Sequence, residues 1–200
     1  WSEEYDCGIV WTLPELTSPS FGELLQYKNV EPVKIQSEVE KFAKALLSLK
    51  SRIGTLFIPS WVLNPVVNGL GLLDLTSEIG FKRNLLHMNA YLTEFFSEEE
   101  GFYILDSESW IFENGHNSYN EALWHMAKVP YTNSVFQSAV KTVKSAMRSV
   151  KGQSRKIVIV DLDNTLWGGV VGDDGWENLK LGGHDPVGEA YVSFQESLKS

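Results

Sequence analysis

The chain has 200 residues, 43% of them hydrophobic and 12% aromatic, with a formal net charge of −9. That is enough apolar material for one sizeable core or two smaller ones. The acidic balance argues against sequence-independent binding to nucleic acid or an anionic membrane, both of which need a basic patch. No apolar run approaches the roughly 20 residues that cross a bilayer. The opening "WSEEYDC" lacks the basic and apolar regions of a secretory signal. The lone cysteine, Cys7, excludes an internal disulfide and fits a cytoplasmic location. The chain starts on Trp rather than Met, and further sequence upstream is expected.

In chain order, "YDCGIVWTL" (5–13) is expected to form a buried strand. The stretch 37–51 is expected to be a helix, with Ser37 and Glu40 as a capping box. Val39, Phe42, Ala43, Leu46 and Leu47 form its apolar face. "GTLFIPSWV" (54–62) is a second expected strand and 63–82 a Gly- and Asn-rich loop. Residues 83–100 have a helical stripe of Leu85, Met88, Leu92 and Phe95, and "FYILD" (102–106) is a third expected strand. In 133–150, Val135, Ala139, Val143 and Met147 recur at intervals of four. The polar, basic "KGQSRK" (151–156) is the best boundary between a domain at 1–150 and the start of another at 151–200. "IVIV" (157–160) is then a strand, and Asp185-Pro186 an N-cap and N1 pair. Val187, Tyr191, Phe194 and Leu198 make a core-facing stripe on the helix that follows. Strands without polar alternation, separated by helices of about a dozen residues, imply parallel α/β structure.

Chemistry concentrates in "DLDNTLW" (161–167). A parallel strand delivers its last residues to the carboxyl edge of the sheet, where open α/β proteins bind ligands. Two carboxylates at i and i+2 share a face and repel unless a cation or shared proton intervenes. Oxygen ligands favour Mg²⁺, which keeps several waters and takes one or two carboxylates. A carboxylate can also attack phosphorus, with a second acid protonating the leaving oxygen. A D-x-D after a strand can equally be a turn with capping acids; the full context of four apolar residues followed by D-x-D-x-T is more restrictive.

"IVIVDLDNTLW" resembles motif I of the haloacid dehalogenase (HAD) superfamily of phosphotransferases. The similarity continues through "WGGVVGDDGWENLKLGGHDPVGEAYVSFQ" and points to the FkbH-like subgroup. Earlier segments, among them "YDCGIVWTLPE", "IPSWVLNP" and "LWHMAKVPYTNSVF", resemble the SGNH-hydrolase-like domain that precedes the HAD domain there. The resemblance implies a three-layer, parallel-sheet (SGNH/flavodoxin-like) domain followed by the start of a Rossmann-like HAD domain. It implies Asp161 as phosphate-accepting nucleophile and Mg²⁺ ligand. Asp163 becomes the general acid and base, its carbonyl also on the metal, and Thr165 takes the motif's Thr/Val position. Gly168 and Gly169 would start a flap, and glycines at 168, 169, 172, 175, 182 and 183 suit a hairpin there. His184 lies near that flap. The implied substrate is a phosphorylated small molecule, 1,3-bisphosphoglycerate, whose glyceryl group is loaded onto an acyl carrier protein.

Three departures shape these expectations. The motif II Ser/Thr, motif III Lys and motif IV acids are not in 1–200, so this stretch alone is expected to be catalytically incomplete. Ile157 stands where shorter FkbH-like enzymes carry Cys, which leaves the final acceptor open. No Gly-Asp-Ser block and no late Asp-x-x-His occurs, so 1–150 is expected to be a non-catalytic binding or scaffolding module. His87, His116 and His125 have no metal-pair spacing and are expected to be structural. The tryptophans, including Trp61, Trp110, Trp124, Trp167 and Trp176, are expected to be large buried anchors; for Trp167, core or hinge packing is favoured over a cover at the site entrance.

Overall fold

The structure, a computed structural model, describes residues 4–153, 157–183 and 185–199. The chain divides into two compact units, Trp1–Met147 and Arg148–Ser200. In order, the first contains β1 (Tyr5–Ile9), α1 (Pro14–Thr17), α2 (Pro19–Leu25), α3 (Pro32–Leu47), β2 (Ile53–Pro59), α4 (Leu73–Thr76) and α5 (Phe81–Phe96). There follow β3 (Phe102–Leu105), α6 (Ser107–Asn114), α7 (Glu121–Ala127) and α8 (Asn133–Val150), which runs across the unit boundary. The second unit adds α9 (Val171–Asp174) and α10 (Pro186–Lys199).

The fold is α/β. All strand pairs are parallel and the sheet order is β1-β2-β3. Side chains alternate across the pleat, so β2 feeds two cores. Leu56 and Ile58 pack with Val39, Ala43, Leu46, Leu85, Met88 and Leu92 of α3 and α5. Phe57 packs with Trp110 of α6 and with Val135, Ala139 and Val143 of α8. Helices therefore line both faces of the sheet. The stripes read from α5 and α8 face these cores, except that Phe96 rather than Phe95 is fully buried.

Several expectations change. β1 lies at the sheet edge and is only partly covered, with Tyr5 and Ile9 exposed. α3 begins five residues before Ser37, because Pro32 at its first turn presets φ and needs no donor. The capping box therefore lies inside the helix. Pro14 and Pro19 likewise start α1 and α2, two helices that apolar periodicity is too short to reveal. Trp61 and Trp110 are buried anchors, but Trp176 is 71% exposed.

The larger correction is at 157–160. No strand forms there, and Ile157, Val158 and Ile159 are exposed. A strand exists only by pairing its backbone, and among the described residues the second unit has no strand to pair with it. For the same reason the α10 stripe is half-covered, with Val187, Phe194 and Leu198 all exposed. The helix itself starts as expected: Asp185 caps it, accepting from the Val187 amide at 3.2 Å and the Gly188 amide at 3.1 Å.

Candidate active site

Asp161 and Asp163 open a tight loop. The Thr165 and Leu166 amides both donate to the Leu162 carbonyl, at 3.2 and 2.9 Å. This turns the chain back on itself. Asn164 takes the left-handed conformation, φ 54°. Its side-chain oxygen accepts from the Gly169 amide at 2.9 Å, and its own amide donates to the Gly169 carbonyl at 3.3 Å. Asn tolerates this backbone because its short polar side chain can bond locally. From α10, the Gln195 amide donates to the Leu166 carbonyl at 2.5 Å.

Within this loop the two acids differ. Asp161 is exposed, and its Oδ1 accepts from the next amide, Leu162, at 2.8 Å. Asp163 is half-buried. Its Oδ1 accepts from the Trp167 indole N–H at 3.0 Å and from the Val171 amide at 3.3 Å. Trp167 thus contacts a predicted site residue, a bond that neither of its expected roles, packing or covering the site entrance, specified. The spacing of four residues on a turn is the sequence signal that could have revealed it.

Gly168 is buried and pairs antiparallel with Lys180, amide to carbonyl in both directions, at 3.2 and 2.8 Å. A Cβ at 168 would come within 2.9 Å of the Tyr191 ring. Gly169 has φ +113°, which favours glycine, and a Cβ there would lie 3.0 Å from Leu179. The segment these two glycines open is no strand hairpin. It is a helical turn, α9, whose Asp174 accepts from the Val170 amide at 2.8 Å, closed at its base by the Gly168–Lys180 pair. Thr165 and Asn164 line an open hollow of about 460 Å³ with Val187, Ala190, Tyr191 and Phe194. His184 lies outside the described residues.

Residues 157–183 carry five acids (Asp161, Asp163, Asp173, Asp174, Glu177) against one lysine, Lys180. Such a segment repels a phosphate by itself and attracts a cation. Among the described residues, no group of three or more His, Cys, Asp or Glu side chains could hold a metal. Two carboxylates with backbone oxygens suit a hard ion that retains water, and fit Mg²⁺ better than a fully protein-caged metal.

The first unit has its own polar cluster, at the carboxyl edge of β1. Glu38 accepts from the Ser18 hydroxyl at 2.7 Å, the Ser20 amide at 3.0 Å and the Ser20 hydroxyl at 2.8 Å. Burial pushes the Glu38 carboxyl up. The three donors, helped by Lys34, outweigh that and hold it below its ordinary value. Nearby, Thr12 accepts from both the Thr17 hydroxyl and the Trp61 indole at 3.0 Å. Asn89 bonds both the amide and the carbonyl of Trp61 at 2.8 Å. Ser18 and Ser20 donate to a carboxylate that is a weak base, held below its ordinary value, while His87, His116 and His125 are all exposed. A nucleophilic serine needs a base within hydrogen-bond reach.

No protein-family model matches the sequence, and no curated protein matches it. A solved structure does: the N-terminal part of the protein BF1531 from Bacteroides fragilis, which contains a phosphatase domain and is complexed with Mg. The TM-score is 0.71 at 22% sequence identity, over 97% of this chain. The likeness is one of fold. The chain spans 50% of that structure's length.

Proposed function

We propose that residues 157–199 form the nucleophile-bearing part of a HAD-type, Mg²⁺-dependent phosphatase acting on a phosphorylated small molecule. The observation that supports this best is the 161–171 loop: an exposed carboxylate at Asp161 beside an oriented one at Asp163. Asp161 attacks phosphorus through a carboxylate oxygen. The P–O bond to the leaving group breaks, and the proton on Asp163 goes to the leaving oxygen. Water then attacks the phosphoryl group and yields its proton to Asp163. The P–O bond to Asp161 breaks and inorganic phosphate leaves. Mg²⁺, held by the Asp161 carboxylate and the Asp163 carbonyl, would neutralise charge on the phosphoryl oxygens. The segment after Gly168 and Gly169, including His184, serves as the flap that excludes water.

The finer proposal is FkbH-like chemistry in the cytoplasm, feeding a three-carbon (glyceryl) unit from a phosphorylated precursor to an acyl carrier protein. It rests on the sequence from 157 to 195. The first unit is proposed as an SGNH-like module without catalysis of its own, a carrier- or partner-binding scaffold. Ser18 and Ser20 are committed to Glu38, and no described histidine is hydrogen-bonded to either, which favours this.

Phosphate release from monoesters by the full-length protein tests the proposal. Asp161→Asn is expected to lower turnover by about 10⁴-fold or more, with Mg²⁺ required. Undiminished turnover by that variant sinks it. Residues 1–200 alone are expected to be inactive. Retention of an acyl carrier protein by residues 1–150 tests the scaffold reading; no binding at high concentration counts against it.

A further inference from the structure

We propose that Trp167 is a positioning residue that fixes which oxygen of Asp163 moves the proton. This rests on the phosphatase reading above. Two N–H donors, the Trp167 indole and the Val171 amide, converge on one atom, Asp163 Oδ1. An oxygen already accepting two N–H bonds is a poor site for a proton, because an O–H there would face two donors. Oδ2, which takes no hydrogen bond from the described residues, is the oxygen left to face the reacting oxygen and pass the proton.

The indole can act this way because its backbone is held on both sides. Before it, the Leu166 carbonyl accepts from Gln195, and the Asn164–Gly169 pair closes the loop. After it, Gly168 is bonded in both directions to Lys180. Trp167 is half-buried, so bulk water competes only partly for its N–H. Val171 belongs to α9, so the same oxygen links the motif loop to the segment proposed as the flap. A displaced flap would remove one of the two donors.

The reaction separates positioning from packing. An alkyl phosphate expels a poor leaving group that needs the Asp163 proton as the P–O bond breaks. p-Nitrophenyl phosphate expels a stable phenolate that does not. In the full-length protein, Trp167→Phe is expected to lower kcat/KM for an alkyl phosphate by about ten- to a hundredfold, the loss of a hydrogen bond to the carboxylate that forms as Asp163 gives up its proton. It should lower kcat/KM for p-nitrophenyl phosphate by less than about threefold on the same grounds. Equal losses on both esters would make Trp167 a packing residue and overturn the proposal, as would no loss on either. Should Trp167→Phe unfold the loop, 3-benzothienylalanine at this position keeps the indole shape, removes only the N–H, and decides by the same comparison. In metal-free protein the Trp167 indole ¹H–¹⁵N resonance should move in Asp163→Ala; an unmoved resonance also overturns the contact. Asp161→Asn serves as the control. If that variant is active, the phosphatase reading fails. If it is dead while Trp167→Phe shows no leaving-group dependence, only this inference fails.

Discussion

Two short apolar stretches of the same kind meet opposite fates. "LFIP" (56–59) is the buried end of β2, the central strand of the first unit, with Phe57 wholly buried. "IVIV" (157–160) is richer in β-branched residues, yet Ile159 is 94% exposed and no strand forms. Propensity is therefore not what separates them. β2 has a parallel neighbour on each side and a helical layer on each face; the later segment has neither among the described residues. The polar groups follow the same division. Those of the first unit's edge cluster are tied to one another, while Asp161 stands exposed on its loop. Strand formation is a property of the pair.

The largest expected effect tests that contrast directly. Phe57→Ala should cost about 3–5 kcal/mol in urea unfolding, since it deletes a ring shared by strand and helix layers. Ile159→Ala in the same 200-residue chain should change stability by less than about 0.5 kcal/mol. A large cost at Ile159 would mean that the segment is paired in solution, and the contrast would collapse.

Next comes the glycine pair that opens the excursion after Trp167. Gly169→Ala places a Cβ at φ +113° and 3.0 Å from Leu179, and is expected to cost about 1–3 kcal/mol locally. Hydrogen exchange should report it as faster exchange of the Gly168 and Lys180 amides, with the first unit unaffected. Uniform loss of protection in both units would show that the effect is not confined to this loop.

Smaller effects sharpen the picture of the first unit. The Glu38 carboxyl is held below its ordinary 4.5, so its contribution is complete above that pH and is lost as pH falls through the lower folded value. Glu38→Gln should cost about 1 kcal/mol at pH 7 and flatten the acid limb of the stability curve. Glu15 runs the other way: burial raises its carboxyl, so its contribution is present at low pH and lost as pH rises through the raised value. Tyr131 gives the smallest effect. Burial, then the Glu15 charge, pushes its hydroxyl up to about 12 from an ordinary 10. Its contribution persists below about 10 and falls away as pH rises through about 12. Tyr131→Phe should leave neutral stability nearly unchanged and remove that alkaline decline.

The Asp161/Asp163 motif and its glycines were visible in the sequence because nearly all their contacts lie within about ten residues. Asp163's bond to Trp167 spans four residues, and Asn164's to Gly169 spans five. α8 was legible to the residue because eighteen residues of apolar periodicity outweigh end effects. α1 and α2 were not, because four and seven residues carry too little pattern. The Glu38–Ser18–Ser20 cluster joins residues about twenty apart, and no spacing rule links them.

By itself, then, the sequence determined the α/β character, the core-facing stripes of α3, α5 and α8 and which short segment carries the acid loop, since each depends on near neighbours along the chain. Tertiary structure decided which apolar segments became strands, which serines were spent on Glu38 and how the Leu166 carbonyl was tied to α10. Those outcomes depend on partners that only folding brings together. For Leu166 that partner is Gln195, 29 residues along the chain.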